Sequence, residues 1–205
     1  MITKEDIQKI EKSIEQAELR TQGEIIPVLL SRSDAYLSTN YLCALAFNSL
    51  AIIVVYFMNL DEEFYLYAMF LGSVLGYILG QFSSIKRILI GREVMDLQVH
   101  EKAMQLFLEN NLHCTKDRNG ILIMVSLLEH RVEIVADRGI NNKVKKGSWD
   151  IIVNELIRNI KSGQYVKGLD LAIQECTDVL EKYCPAKEDN PNELSNTLIT
   201  DFEID

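Results

Sequence analysis

Four charged side chains lie at the start of a predicted strand or in short loops beside predicted strands, and they are the clearest candidates for chemistry: Glu24, Arg118, Asp137 and Arg138. Two carboxylates with nearby backbone carbonyls suit Ca²⁺ or Mg²⁺, whereas guanidinium groups suit a phosphate. Glu24 and Asp137 are therefore candidate metal ligands. With Arg118 as a phosphate clamp, the same two acids are candidate catalytic residues of a metal-assisted hydrolase. The alternative is structural, because arginines beside acids at loop ends often form only weak ion pairs.

These residues gather only if the strands beside them are arranged in one particular way. Apolar, β-branched runs predict strands at Glu24–Leu30, Ile121–Val125 and Val132–Ala136. The first two are joined through a helix, which predicts parallel strands, and the last two are joined by a tight connection, which predicts an antiparallel hairpin. The start of the first two strands and the end of the third then share one edge. Pro27 lacks a backbone donor, which predicts an edge position or a bulge for the first strand.

The opposite edge of the predicted sheet carries a second polar group. Its members are Ser31, Arg32, Asp34, Ser126, Glu129, His130 and Arg131. Ligands of parallel α/β sheets usually bind beyond the carboxyl ends of the strands, which favours this edge. His130, Glu129 and Ser126 could act as base, orienting group and nucleophile. The sequence contains no GxSxG elbow, nucleotide fingerprint or P-loop, so it does not predict a catalytic triad.

A basic loop follows the third predicted strand. It contains Arg138, Lys143, Lys145 and Lys146. One interpretation is contact with anionic lipid headgroups, and the other is a solvated loop that leads into a helix. The sequence favours neither.

Amphipathic patterns predict the helices that cover this sheet. They occur at Thr3–Leu19, Glu93–Leu112, Trp149–Ile160 and Leu169–Tyr183. The alternation of helices and strands predicts an α/β domain with a small mixed sheet. Beyond Cys184, residues 185–205 are polar and acidic, which predicts a flexible tail.

Residues 41–82 interrupt this domain. Two uncharged apolar runs, Tyr41–Met58 and Phe64–Phe82, flank an acidic loop. Each has about the 20 residues that a helix needs to cross a bilayer, and a chain of this size cannot bury two helices that are apolar on every side. We predict a transmembrane hairpin inserted into the crossover of the α/β domain. The domain layout is then residues 1–40 and 83–184 for the two parts of the domain, 41–82 for the hairpin and 185–205 for the tail.

Charge placement predicts the orientation of the hairpin. Arg32 precedes the first run, and Lys86, Arg87 and Arg92 follow the second, whereas the loop Asn59–Glu63 has no basic residue. The positive-inside rule then places both termini in the cytoplasm. Four cysteines without a CxxC pair agree with a reducing compartment. We predict a multi-pass protein of the inner (plasma) membrane.

Gly72, Gly76 and Gly80 recur on one face of the second run. Small residues at this spacing let another helix approach closely. The predicted occupant is the first run of the same hairpin, and the alternative is an oligomer through the glycine face.

The composition limits the class of partner. The net charge of -9 does not suggest a nucleic-acid binder, because binding to phosphates needs a basic surface. The expected partners are the lipid bilayer and a membrane protein.

Several motifs together resemble the TPM-domain family, and more narrowly its bacterial membrane-associated branch. They are RTQGEI (Arg20–Ile25), TKDRNGILIMVS (Thr115–Ser126), VEIVADRGI (Val132–Ile140), the single Trp149, KSGQYVKGLDLAI (Lys161–Ile173) and NEL (Asn192–Leu194). The resemblance implies a Rossmann-like three-layer α/β/α sandwich around a small sheet. Asp137, Glu24 and the pair Asn119-Gly120 match motif positions.

The resemblance implies several activities rather than one. Members of the family have been linked to acid phosphatase activity, to photosystem assembly and repair, to receptor modulation and to calcium binding. Three hypotheses follow for this chain. The first is an interaction or assembly module at the cytoplasmic face of the membrane, the second is a phosphatase or divalent-cation-dependent hydrolase, and the third is a calcium-binding module without turnover.

Overall fold

A computed structural model describes residues 2–187 and 194–202 of the chain. The chain forms two compact units. The first unit comprises Met1–Ser33 and Asp96–Asp205, and the second comprises Asp34–Met95. The first unit is thus assembled from sequence on both sides of the second.

The first unit contains a four-stranded mixed sheet in the order β3-β2-β1-β4. Its strands are β1 (Ile25–Leu30), β2 (Ile121–Ser126), β3 (Arg131–Ala136) and β4 (Ile199–Thr200). β1 and β2 are parallel, and β2 and β3 are antiparallel, which confirms both predicted pairings. β1 and β2 are buried along their whole length, so their apolar sequences reflect helices on both faces of the sheet.

Pro27 predicted an edge position or a bulge, and neither is found: β1 lies between β2 and β4, and its register with β2 is continuous from Ile25 to Leu30. The carbonyls of Glu24 and Leu30 accept hydrogen bonds from the β2 side. Since polar backbone groups alternate in direction along a strand, Pro27 presents its side without a donor toward β4. The register there pairs only Val28 and Leu29 with β4. Pro27 therefore costs the sheet no hydrogen bond.

β4 is a correction to the flexible tail predicted for residues 185–205. Ile199 and Thr200 pair with β1 in a parallel register. The amide of Ser31 donates to Asp201 Oδ1 over 2.7 Å, which fixes the segment just after this strand. Asn192 and Glu193, the first two residues of the NEL motif, lie outside the described residues, as do the other acids of the tail except Asp201.

Helices cover both faces of the sheet. α1 (Lys4–Glu18), α7 (Ser148–Lys161) and α8 (Tyr165–Tyr183) share one hydrophobic core with Ile25 and Ile121. α5 (Arg92–Glu109) packs on the other face against Val28 and Leu122. A 3₁₀ turn (Leu112–Cys114) and the short α6 (Arg138–Asn141) complete the unit. The α/β three-layer sandwich is therefore confirmed.

The second unit consists of α2 (Leu37–Phe57), α3 (Glu63–Gly80) and the short α4 (Ser83–Leu89). α2 and α3 are long and apolar enough to cross a membrane, and only 17% of the most apolar window of each is buried. They pack against each other through the glycine face of α3. A Cβ on Gly76 would lie 2.4 Å from the carbonyl oxygen of Cys43, and one on Gly80 would lie 2.6 Å from Asn40 Cα. The glycine face is thus occupied within the hairpin.

Candidate functional site

Asp137 and Arg118 meet at the edge of the sheet where β1 and β2 begin. Asp137 follows β3, and its amide donates to the carbonyl of Gly120 over 2.9 Å. Its Oδ1 accepts a hydrogen bond from the Arg138 amide and so caps α6. Its Oδ2 lies 2.8 Å from Arg118 Nε, while only 4% of the Asp137 side chain is exposed. A buried carboxylate therefore stands beside a half-exposed guanidinium, as the sequence predicts.

The loop that carries Arg118 is held in place by backbone contacts. Arg118 has a φ of 55°, and its Nη1 donates to the carbonyl of His113 over 2.6 Å. A Cβ on Gly139 would lie 2.2 Å from the carbonyl oxygen of Asp117, so only glycine lets the two loops meet. Asn119 Nδ2 donates to the carbonyl of Gln22 over 2.7 Å. The motif positions Asn119 and Gly139 thus serve to position the Arg118 loop.

Glu24 occupies the same edge but interacts with a different group. Burial and the neighbouring Glu24 raise the pKa of Glu18 to about 7, opposed by a hydrogen bond from the Asn196 side chain. Since β2 lies between β1 and β3, the backbone of Glu24 is about 10 Å from that of Asp137. The structure therefore joins Glu24 to Glu18 and Arg118 to Asp137, as two separate pairs.

The predicted metal site was based on Glu24 and Asp137. Within residues 2–187 and 194–202, no group of three or more His, Cys, Asp or Glu side chains could hold a metal ion. Binding of Ca²⁺ or Mg²⁺ by these two acids stays a prediction.

The contact between Glu18 and Glu24 makes the stability of the first unit depend on pH. Its pKa is about 7 in the folded protein against an ordinary value of 4.5, so folding favours the protonated carboxyl. This stabilisation is complete below about pH 4.5 and is lost as the pH rises through about 7. In Glu18→Gln the uncharged amide takes the place of the protonated carboxyl at every pH. We expect the variant to match the wild type near pH 4 and to exceed it near pH 8 by about 1 kcal/mol, a value reduced for partial exposure.

Urea unfolding followed by the fluorescence of Trp149, the single tryptophan, measures this difference in the first unit. Glu11→Gln on the same helix is the control and is expected to leave the pH dependence of the wild type intact. Parallel pH profiles of the wild type and Glu18→Gln would contradict the assignment.

The opposite edge of the sheet contains a buried network around Glu129. The Ser126 hydroxyl donates to the Glu129 carboxylate, and the Ser33 hydroxyl donates to Ser126 Oγ over 2.9 Å. The Ser33 amide donates to Glu129 Oε1 over 3.0 Å. Ser126 and Glu129 are both buried. Because the Ser126 proton is directed at Glu129 rather than His130, this network ties the end of β1 to β2 instead of forming a triad.

The basic loop lies far from the points at which the chain passes to the second unit. Lys143, Lys145 and Lys146 are exposed and follow α6, at the edge where Asp137 lies. The chain leaves the first unit at Ser33, beside Ser126, and returns at Asp96, which pairs with Arg131. Both points lie at the opposite edge. A contact of the three lysines with lipid headgroups stays a prediction.

Sequence reasoning missed Glu18, Asn196, Ser33 and Asp201. Asn196 contacts Glu18 across a separation of 178 residues, and Asp201 contacts Ser31 across 170. A local sequence pattern cannot predict contacts between residues that lie so far apart in the chain. Of the residues in the Glu129 network, only Ser126 and Glu129 have a local sequence signal, because they lie three residues apart on either side of the turn between β2 and β3.

Comparisons with known proteins agree with this fold. A model of the TPM domain matches residues 87–179, which extend from α4 into α8. The chain is similar to the BA42 protein from the psychrophilic bacterium Bizionia argentinensis, whose NMR structure is known. The two sequences are 24% identical, and the structures match with a TM-score of 0.62 over 98% of this chain and 95% of that chain. No curated protein matches the chain. The TPM-domain resemblance is thus confirmed, and the structural likeness supports the fold.

Proposed function

We propose that this chain, which carries a TPM domain, is a membrane-anchored interaction module whose α/β unit binds a membrane-protein partner at the cytoplasmic face. The observation that carries the proposal is the position of the second unit, inserted between β1 and α5. Two chain segments, rather than one terminal stalk, connect it to the sheet. An anchor at this place restrains the α/β unit near the bilayer, where a membrane protein is the accessible partner.

The surface of the second unit supports a location in the bilayer. Phe57, Leu66 and Phe70 are each at least 70% exposed, and the other exposed side chains of α2 and α3 are mostly apolar. Continuous apolar surface of this extent is rare on soluble monomers, because each square ångström costs about 25 cal/mol in water. In hydrocarbon the same surface is favourable.

Charged groups at the ends of the two helices support the orientation. Arg87 and Arg92 follow α3 and are exposed, and Arg32 precedes α2. The loop between α2 and α3 carries Asp61 and Glu62 and no basic residue, and Glu63 begins α3. The positive-inside rule then favours cytoplasmic termini.

The cysteines provide a direct test of this orientation. Cys114 in the first unit is exposed, whereas Cys43, Cys176 and Cys184 are buried. We expect a membrane-impermeant maleimide to leave Cys114 unlabelled in intact cells and to label it once the membrane is opened. In a Cys114→Ser background, Asp61→Cys in the loop between α2 and α3 is expected to be labelled in intact cells.

Cys114→Ser without the added cysteine is the matched blank for both experiments. Labelling of Cys114 in intact cells would contradict the cytoplasmic location. Release of the chain from membranes by carbonate washing would contradict the membrane anchor.

A second candidate is a phosphatase or divalent-cation-dependent hydrolase. The observation that favours it is the buried Asp137 carboxylate 2.8 Å from Arg118, since a carboxylate beside a guanidinium can serve phosphoryl transfer. This candidate predicts hydrolysis of p-nitrophenyl phosphate by the detergent-purified chain with Mg²⁺ or Ca²⁺. Asp137→Asn should then lower the rate by about 100-fold or more.

Asp117→Asn changes an exposed acid of the adjacent turn and is the control, with circular dichroism to verify that each variant folds. The interaction module predicts a rate equal to the protein-free blank. Activity that survives Asp137→Asn would rule out the Asp137 site. Calorimetric titration with Ca²⁺ separately tests cation binding without turnover.

A further inference from the structure

α5 has two apolar faces, of which the sheet uses one. Val99, Ala103 and Phe107 are buried against the sheet. Leu97, Met104 and Leu108 point away from it, with 53%, 37% and 50% of their surface exposed. Together with Glu101 they form a line that we call the outer seam of α5.

The spacing of the outer seam is that of a helix that packs against another helix. Its residues are separated by four, three and four positions, which is the alternation of a and d positions in a heptad. At about 100° per residue they fall within about 60° of the helix circumference, opposite the buried face. In the described part of the first unit, the other exposed large apolar side chains are Leu19 and Ile151. The seam is thus a concentrated apolar surface rather than scattered exposure.

Glu101 decides which partner fits the seam. Asp96 pairs with Arg131, and His100 lies 2.9 Å from Glu133, so charges at the margin of the seam are engaged within the unit. Glu101 accepts a hydrogen bond from the uncharged amide of Gln98 over 3.2 Å. A helix laid on the seam would cover this carboxylate, and covering a charge is unfavourable without an opposite charge. The partner must therefore bring a cation.

A second copy of the chain does not meet this requirement. In a parallel pair of seams, Glu101 would face its own equivalent, and in an antiparallel pair it would face Leu97 or Met104. An anionic lipid surface fits no better, because α5 carries four acids (Glu93, Asp96, Glu101 and Glu109) against two bases (Arg92 and Lys102). Neither surface offers Glu101 a cation.

We propose that the outer seam of α5 binds an amphipathic helix of a partner protein that places a Lys or Arg opposite Glu101. The proposal rests on the interaction module described above and names the chemistry of its partner. Apolar side chains of the partner helix fill the spaces between Leu97, Met104 and Leu108. The salt bridge to Glu101 then selects the partner and its register.

Two synthetic helical peptides test the proposal against the full chain in detergent or nanodiscs. Both have leucine at every a and d position except one central a position, which is lysine in one peptide and glutamate in the other. Fluorescence anisotropy at concentrations where the peptides are monomeric gives the dissociation constants. We expect the lysine peptide to bind the wild type about tenfold more tightly, a difference of about 1.4 kcal/mol.

Three variants make the experiment specific. Glu101→Lys is expected to reverse the preference, and Met104→Asp to weaken both peptides by about tenfold or more. Ile151→Asp, at an exposed apolar residue of α7, is the matched control and should change neither affinity. Absence of binding, or binding without charge preference, would overturn the proposal.

The other possible occupants have their own outcomes. If the chain self-associates and Met104→Asp abolishes this association, the occupant of the outer seam is a second copy of the chain. Binding of the purified chain to vesicles with anionic lipid that depends on Met104 would replace it by a membrane surface. Either result overturns the proposal. The orientation of the chain is read independently by Cys114 labelling, so failure of the membrane location and failure of the seam are distinguishable.

Discussion

Replacing Gly76 by leucine is expected to separate α2 from α3. Even the first added atom, the Cβ, would lie 2.4 Å from the carbonyl oxygen of Cys43 and 2.7 Å from Ala44 Cα. Both are backbone atoms of α2, so they cannot move without shifting that helix. Overpacking of this kind typically costs about 1–3 kcal/mol, and a whole leucine exceeds what the contact can absorb.

The measurement is proteolysis at the loop between α2 and α3 together with the thermal stability of the chain in detergent. We expect faster cleavage and a lower melting temperature for Gly76→Leu, with an unchanged unfolding signal from Trp149 in the first unit. Gly91→Leu is the matched control, because among the described residues a Cβ at that position would meet no atom within 4 Å beyond its chain neighbours. Equal stability of the two variants would contradict helix packing through the glycine face.

The hairpin is the part of the fold that the sequence determines most directly. The length of the two apolar runs and the four-residue spacing of Gly72, Gly76 and Gly80 are local properties. They sufficed to predict two helices in close contact. The parallel and antiparallel strand pairings also followed from local connections. In these cases the physical cause lies within a short stretch of chain.

The tail and β1 were harder to predict for a common reason. A strand of two residues within a polar tail, such as Ile199–Thr200, has no recognisable pattern. Without β4 the sheet would have three strands with β1 at its edge, and Pro27 would be a residue of an edge strand. The sheet accommodates Pro27 because the side of this residue that lacks an N–H faces away from β2. Only the register of β1 with β2 determines which side that is.

The candidate site was predicted in part. Topology brought Asp137 to Arg118, because the Arg118 loop leads into β2 beside the point where the chain leaves β3 at Asp137. It also placed Glu24 at the same edge, but it could not show that Glu18 is the nearer acid. Glu18 belongs to the end of α1, and the direction of a helix end relative to the sheet is set by packing of Ile10, Ile14 and Ala17 in the core.

Glu129→Ala is expected to destabilise the first unit at the point where the chain leaves it. Glu129 is 3% exposed and accepts hydrogen bonds from the Ser33 amide and the Ser126 hydroxyl. Its removal leaves the buried Ser126 hydroxyl and the half-buried Ser33 amide without that acceptor, and each such loss typically costs about 1–3 kcal/mol. We expect a total loss of about 3 kcal/mol in the free energy of unfolding.

Glu129→Gln separates the hydrogen bonds from the charge. Its carbonyl oxygen still accepts from the Ser33 amide, and the Ser126 hydroxyl can turn to accept from the new NH₂ group, so a loss of about 1 kcal/mol is expected. Glu109→Ala, at an exposed acid on α5, is the control for loss of negative charge. Urea unfolding read by Trp149 gives all three values, and equal stability of the alanine and glutamine variants would contradict the network.

The same pair of variants tests whether Glu129 holds the end of the first unit's segment after β1, where the chain leaves that unit. Ser33 is the last residue before the second unit, so its amide reports on the exit from β1. Hydrogen exchange of the peptide that contains Ser33 should accelerate strongly in Glu129→Ala and weakly in Glu129→Gln, while exchange within β3 changes less. Uniform acceleration across the sheet would instead show that Glu129 stabilises the whole unit and has no particular role at the junction.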